Sequence, residues 1–313
     1  MPMQCTVIDL DGSLTGQPAL AAALASGEAK LVSARDLARR LRIVASRKAL
    51  AELEARLAAV TDPDAPGRLI FYGSGDFHHL CAVFLRSLRE PFLLLHFDNH
   101  PDWTTFPATM NCGGWVNRAL EQPQLERVVT IGASGSDFVR PQLKWANFAA
   151  IREGRLEVHP WRAQGSWLLG RRIAARGCHT MGSGPFRRLI WHGIGLTRWP
   201  SFAEGLDRRL PALPLWVTLD KDVLRTAEAV TNWEQGRLSL QAILDLLARL
   251  GARRRILGID VCGDYSPPTF GDPFRAFLSA TDRPSISPDL AAARAVNDAT
   301  NARILTAARA LLR

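Results

Sequence analysis

The sequence predicts an α/β protein with a mostly parallel central sheet and helices on both faces. Three observations predict it. Short apolar runs bounded by Gly, Pro or Asp alternate with longer helical patterns along the chain, and such alternation builds a parallel sheet with crossover helices. The 313 residues are 47% hydrophobic and 22% charged, an ordinary globular composition on a chain long enough to bury a sizeable core. Acidic residues fall just past several of the strand-like runs, where open parallel sheets gather ligands.

Strands are expected at residues 5–10, 68–72, 92–97, 127–131, 189–193, 215–219 and 256–261. Between them, residues 34–60, 80–88, 240–250 and 288–312 carry helical periodicity. There is no internal repeat and no low-complexity linker, so residues 1–313 are expected to form one domain. Within it, the Pro-rich run around Asp62 sets off an N-terminal segment, 1–66, and residues 153–185 read as an insertion.

Cys5, Cys81, Cys112, Cys178 and Cys262 are scattered, with no CxxC pair. This argues against a disulfide framework or a zinc knuckle and for a reducing cytoplasm. No apolar run reaches the length of a membrane span, and the first residues lack the pattern of a secretory signal. The net charge is +9, from 39 basic and 30 acidic residues. No nucleic-acid-binding motif accompanies the charge, so nucleic acid is not an expected partner; the excess reads as solvated helix faces or as a surface for an acidic peptide.

The chemistry is concentrated in Asp98-Asn99-His100-Pro101-Asp102. On extended chain alternate residues point the same way, and Pro101 biases His100 away from helix. Asp98, His100 and Asp102 are therefore expected to converge on one point. Asp220 and Asp222 repeat the spacing after another strand. Each motif alone is compatible with helix caps or turns. Together with His78 they describe a site of four carboxylates, few imidazoles and no thiolate, which suits Mn²⁺ and, less well, Mg²⁺. Such carboxylates would repel one another without cations.

In this order, the runs Gly73-Ser74-Gly75-Asp76-Phe77-His78-His79-Leu80, Asp98-Asn99-His100-Pro101-Asp102 and Thr218-Leu219-Asp220-Lys221-Asp222 resemble the signature turns of the ureohydrolase superfamily. That superfamily comprises the arginases, agmatinases and formiminoglutamases. The resemblance spans most of the chain, from Arg68 to Tyr265. It implies a three-layer arginase-like fold and a site for two Mn²⁺ ions. One ion would take His78, Asp98, Asp102 and Asp220; the other would take His100, Asp98, Asp220 and Asp222. It also implies water activated between the metals to attack a guanidinium carbon, with Asp102 orienting that water and accepting its proton. Ornithine and urea would leave from an arginine substrate. Family members often assemble as trimers or hexamers, so a homo-oligomer is compatible with the resemblance.

Several departures bear on the substrate. Val223-Leu224-Arg225 replaces the Asp-Pro that follows the last motif in the family. Cys112, in Asn111-Cys112-Gly113-Gly114, stands where arginases carry a proton-relaying histidine, so Cys112 reads either as a small residue in a tight turn or as the candidate acid for the leaving amine. The guanidinium-binding glutamate falls at Gly263, leaving Asp264 and Glu234 as candidates for that role, with Trp233 and Asn111 beside them. The loop that grips a free amino acid is replaced by residues 104–110. With the Asp-Asn-His-Pro-Asp variant, this looks like the peptide arginases, which make ornithine within a peptide.

The alternatives are an agmatinase- or formiminoglutamase-like hydrolase of a small guanidino or other C–N substrate, and a metal-binding member without turnover. A further alternative starts from Asp9 and Asp11, which resemble the first motif of haloacid-dehalogenase-type phosphatases. It leaves Asp98–Asp102 unexplained, and Asp9 and Asp11 are read as a strand-end turn. His96 is expected to be a buried partner of the site. Cys178-His179 is not expected to bind metal.

Overall fold

Strands β4 (Phe92–Phe97), β11 (Leu215–Asp220) and β12 (Ile256–Cys262) are buried at every position, the pattern of parallel strands covered on both faces. The computed structural model describes residues 3–62, 65–267, 269, 270, 273, 275 and 288–312. The three strands join β1 (Gln4–Asp9), β2 (Ala29–Ser33), β3 (Arg68–Phe71), β5 (Leu125–Ile131) and β6 (Leu156–His159) in an eight-stranded sheet. Its order is β2-β1-β3-β12-β11-β4-β5-β6, with every pairing parallel.

Alternate strand residues feed two cores. Leu94 and Trp216 point to one face; Leu93, Leu95 and Val217 point to the other. The first face is covered by α2 (Ala38–Leu41), α3 (Arg47–Ala58), α4 (Cys81–Leu85), α5 (Trp115–Ala119) and α6 (Phe148–Arg152). The second is covered by α1 (Pro18–Ala25), α7 (Trp199–Arg209), α8 (Leu240–Gly251) and α9 (Leu290–Leu311). The result is the expected three-layer α/β architecture. Among the described residues no helix is long and apolar enough to cross a membrane.

The helix expected over 34–60 is broken in two. Arg42 is extended and Ile43 has φ 65°, because the guanidinium of Arg42 is buried against Asp76, with Ser266 Oγ at 3.2 Å. An ion pair with a residue so distant in sequence overrides helical propensity. Ser46 then restarts the helix, its hydroxyl accepting from Ala49 N at 3.2 Å. The helix expected at 80–88 is likewise a 3₁₀ turn, Gly75–Leu80, followed by the short α4.

The run at 189–193 belongs to β10 (Phe186–Trp191), which lies outside the parallel sheet. With β7 (Gln164–Leu169), β8 (Ala174–Ala175) and β9 (Cys178–Met181) it forms a four-stranded antiparallel sheet ordered β7-β10-β9-β8. Strand β6 has no strand-like apolar run, because Glu157 and His159 interrupt its pattern, although both are buried.

Glu157 is accommodated by charge. Arg127 Nη1 lies 2.9 Å from it and Arg209 Nη1 lies 2.5 Å from it. Burial raises its carboxyl, but hydrogen bonds from His159 and Arg209 outweigh this and hold it below the usual range. A depressed carboxylate stabilises the fold above its unfolded-state pKa, and that stability is lost as pH falls through the folded value. Glu157→Gln should therefore cost about 2 kcal/mol at neutral pH. In urea denaturation the gap to the parent protein should close below about pH 4. A gap that stays constant down to pH 3 would show that the charge is not what matters.

Candidate metal centre

The order β3-β12-β11-β4 sets three chain reversals side by side at the carboxyl edge of the sheet. After β3 the chain turns at Gly73, φ 88°. It then enters a 3₁₀ turn capped by Ser74, whose Oγ accepts from Asp76 N at 3.1 Å. That turn presents His78. Gly75 lets it approach the next reversal, since a Cβ there would lie 2.4 Å from Asp220 Oδ2. Asp98 follows β4, and Asp220 closes β11.

The expected convergence is present, by a different route. Asp102 is not extended: its φ is 46°, a left-handed conformation that Asp tolerates better than most residues. It is held there by Trp115 Nε1, which donates to Asp102 Oδ2 at 2.5 Å. Asp222 lies in a 3₁₀ turn whose amide donates to Asp220 Oδ1 at 3.0 Å. Its own Oδ1 accepts from Asn99 N at 2.9 Å. Bends rather than strand alternation aim these side chains inward.

Two histidines face one carboxylate from opposite sides. His78 Nδ1 lies 2.9 Å from Asp98 Oδ2, 3.4 Å from Asp102 Oδ2 and 3.7 Å from Asp220 Oδ2. His100 Nδ1 lies 2.9 Å from Asp222 Oδ2 and 3.5 Å from Asp98 Oδ1. The donors form overlapping groups: His78, His96, Asp98 and Asp102; His78, Asp220 and Cys262; and Asp98, His100 and Asp222. His96 bonds Asp98 Oδ2 at 2.9 Å and Thr130 Oγ1 at 3.0 Å. Behind His78, Nε2 bonds Thr218 Oγ1 at 2.9 Å, and that hydroxyl donates to Asp260 Oδ1 at 2.7 Å. This chain engages Nε2 as a donor and turns Nδ1 to the carboxylates, the orientation metal-ligating histidines require once Nδ1 has lost its proton.

The donor set fits divalent cations. His78 Nδ1 is buried without a hydrogen-bond partner of good geometry. Burial, then the Asp98 charge, pushes the Asp102 carboxyl up to about 7. The same causes raise Asp220. Burial and the charges of Asp220 and Asp98 raise Asp222 well above the carboxylate range. Burial disfavours charged His78 and His100, yet neighbouring aspartates outweigh it and raise both. Without cations the cluster holds protons in their place. Cys262 is pushed well up by burial and stays a thiol, its Sγ donating to Asp220 Oδ2 at 3.3 Å, so oxygen and imidazole nitrogen dominate.

A cavity of about 300 Å³ opens onto this cluster, walled further by Phe106, Asn111, Cys112, Asp137, Trp145 and Trp233. Three of the sequence-selected substrate and proton-transfer residues, Asn111, Cys112 and Trp233, therefore face it. Two do not. Asp264 is buried beside it in an ion pair: its Oδ1 accepts from Lys221 Nζ at 2.7 Å and Gln17 Nε2 at 2.6 Å. The structure thus sets Asp264 against the buried Lys221 and outside the residues that line the cavity. Glu234 is exposed and contributes its carbonyl, which accepts from Asn99 Nδ2 at 2.8 Å, while its side chain does not line the cavity. Asp137, which sequence reasoning missed, does line it. The available signal was an acid shortly after Ile131-Gly132 at the carboxyl end of β5.

No family model matches the chain. An uncharacterized protein of Thermotoga maritima is 27% identical over 200 residues, which are 64% of this chain and 59% of that protein. The chain thus matches less than two thirds of that relative's length. Solved structures cover nearly all of it. Arginase from Bacillus subtilis matches with TM-score 0.55 at 14% identity, over 98% of each chain. Formimidoylglutamase from the same species matches with TM-score 0.54 at 12% identity, over 99% of this chain and 86% of that one. A hypothetical agmatinase from Burkholderia thailandensis matches with TM-score 0.53 at 15% identity, over 98% of this chain and 86% of that one. The shared property is the fold; this chain's own buried His/Asp cluster is compatible with a binuclear metal site.

Proposed function

From the ureohydrolase fold of this chain, we propose that it is a binuclear manganese amidinohydrolase converting an arginine side chain to ornithine and urea, with the arginine held in a peptide. The observation that carries this is Asp98, whose two oxygens each face a different histidine Nδ1. His78, Asp98, His100, Asp102, Asp220 and Asp222 would hold the cations. Two Mn²⁺ ions bound there supply Lewis acidity and water activation.

The protein's own groups supply the rest. Asp102 orients the attacking water and takes its proton. Trp233 and Asn111 wall the slot in which the planar guanidinium lies. Cys112, at the cavity wall, carries a proton to the departing amine. General acids of this kind contribute about a hundredfold or more. Cys112→Ala is therefore expected to lower kcat about a hundredfold with little change in KM, and Cys112→His to retain most of the rate. An unchanged kcat in Cys112→Ala would remove Cys112 from the mechanism.

The cavity lining includes neither Lys nor Arg among the described residues. Lys144 Nζ, beside that wall, is already paired with Asp137 Oδ1 at 3.2 Å, so a free amino acid's α-carboxylate would have to compete for it, whereas a peptide-bound arginine carries no such charge. One other reading is a small guanidine bearing a second amine, such as agmatine, whose amine would compete with Lys144 for the Asp137 carboxylate.

Urea release by Mn²⁺-loaded protein from free arginine, agmatine and an arginine-containing peptide separates these. Urea from the peptide alone supports the peptide reading. Urea from agmatine alone replaces it with the small-guanidine reading. No urea from any of the three would end the guanidine-hydrolase proposal.

A further inference from the structure

Among the described residues eleven large hydrophobic side chains are exposed. Six of them follow one path away from the cavity. Phe106 and Trp145 stand at its mouth, 59% and 53% exposed, with ring centroids 5.4 Å apart. The loop bearing Trp145 is tied to the wall that follows Asp102, since Trp145 O accepts from Thr105 N at 2.9 Å. The same loop is tied to β7, where Gln142 bonds both the amide and the carbonyl of Leu169 at 2.7 and 2.8 Å.

From there the outer face of the small sheet continues the surface. Leu169 sits opposite Phe186, and Trp167 and Met181 flank Arg188 from its two neighbouring strands; directly opposed residues share a face. The inner residues Leu168, Leu189 and Trp191 are buried in the core, while Trp167, Leu169, Met181 and Phe186 are all more than half exposed. Patches of this kind mark interaction sites. Arg188 brings positive charge onto this face, its guanidinium 5.8 Å from the centroid of the Trp167 ring, and the segment between Glu157 and Glu204 carries seven arginines and no acid.

We propose that this face is the docking surface for the polypeptide carrying the target arginine, an acidic segment with apolar side chains. This rests on the peptide reading above. The apolar sheet takes the hydrophobic side chains, and the arginine-rich rim takes the carboxylates. The Phe106–Trp145 pair is where the chain hands its arginine into the cavity. A second copy of this chain is a poor occupant, because two such faces would set arginine against arginine. Single-stranded nucleic acid, which stacks its bases on exposed rings such as Trp167 and Phe186, is the occupant that the oligonucleotide competition tests.

The test uses fluorescein-labelled synthetic peptides, each with one arginine flanked by Glu/Leu, Lys/Leu or Gly/Ser sequence. Binding to the Mn²⁺-loaded full chain is read by anisotropy, beside urea release. The parent protein should prefer the Glu/Leu peptide. The double variant Trp167→Ser, Phe186→Ser should bind it about tenfold more weakly, with melting temperature and any urea release from agmatine unchanged. Neither residue lines the cavity.

Equal binding of the three peptides, binding of none, or no loss in the double variant would overturn the proposal. So would displacement of the peptide by a single-stranded oligonucleotide, or light scattering showing that the double variant breaks an oligomer. Anisotropy needs no turnover, so the two readings fail separately. Peptide binding through this face without urea sinks only the hydrolase reading. Urea release from the Glu/Leu peptide with kcat/KM unchanged in the double variant sinks only the docking surface.

Discussion

Asp98→Asn is expected to abolish urea release, by about a thousandfold or more, and to lower bound manganese together with it. Asp98 is the hub of the cluster. Its Oδ2 meets His78 and His96, and its Oδ1 accepts from the backbone of His100 at 2.6 Å. Burial alone would raise its carboxyl, yet hydrogen bonds from His100, His78 and His96 outweigh burial and hold it well below the usual range. It is the member of the cluster kept ionised most firmly. Asparagine has the same shape but turns an NH₂ towards one of the two sides, so one donor group loses its shared anionic oxygen whichever way the amide points. Elemental analysis of the dialysed protein reads the metal directly. Full manganese content in Asp98→Asn, with activity within about tenfold of the parent, would end the idea of a shared ligand.

The positions of these acids were legible because a parallel sheet delivers the residues just past its strands to one edge, wherever they lie in sequence. Asp98 and Asp220 needed nothing more than the apolar runs before them. The aim of the neighbouring side chains was not legible. Asp102 depends on a left-handed turn fixed by Trp115, and Asp222 on an Asx-type turn over Asp220. Neither leaves a trace in spacing, and the convergence expected from extended alternation arises by a different geometry. The failures elsewhere share a cause, which is burial of charge. Arg42 breaks the helix expected at 34–60 to reach Asp76. Lys221, sitting between two site aspartates, withdraws Asp264 from the cavity. Glu157 and His159 disguise β6 as a polar stretch. Local pattern reports which segments are apolar; it does not report which distant partner has made a charged residue buriable.

Gly263→Glu should be among the most damaging single changes outside the donor set, although it writes in the residue that the arginase resemblance places there. Gly263 has φ 93°, and a Cβ on it would lie 2.4 Å from Asp220 Oδ1 and 2.6 Å from Lys221 N. Any side chain therefore meets left-handed strain of about 1–2 kcal/mol and must also push Asp220 out of its place beside His78. Together these should lower stability by about 3 kcal/mol and erase the rise in melting temperature that manganese gives the parent protein. Gly263→Ala should do nearly as much harm, because the Cβ is the offending atom. The comparison separates two views of this edge. If Gly263 is an isolated loss of a substrate-gripping carboxylate, glutamate should strengthen grip on the guanidinium of any of the three substrates while alanine does nothing useful. If it is part of how Asp220 is seated, both variants should lose metal together. Gain of urea release in Gly263→Glu, from free arginine, agmatine or the peptide, would show that the carboxyl edge of β12 can move and that a carboxylate there grips the guanidinium.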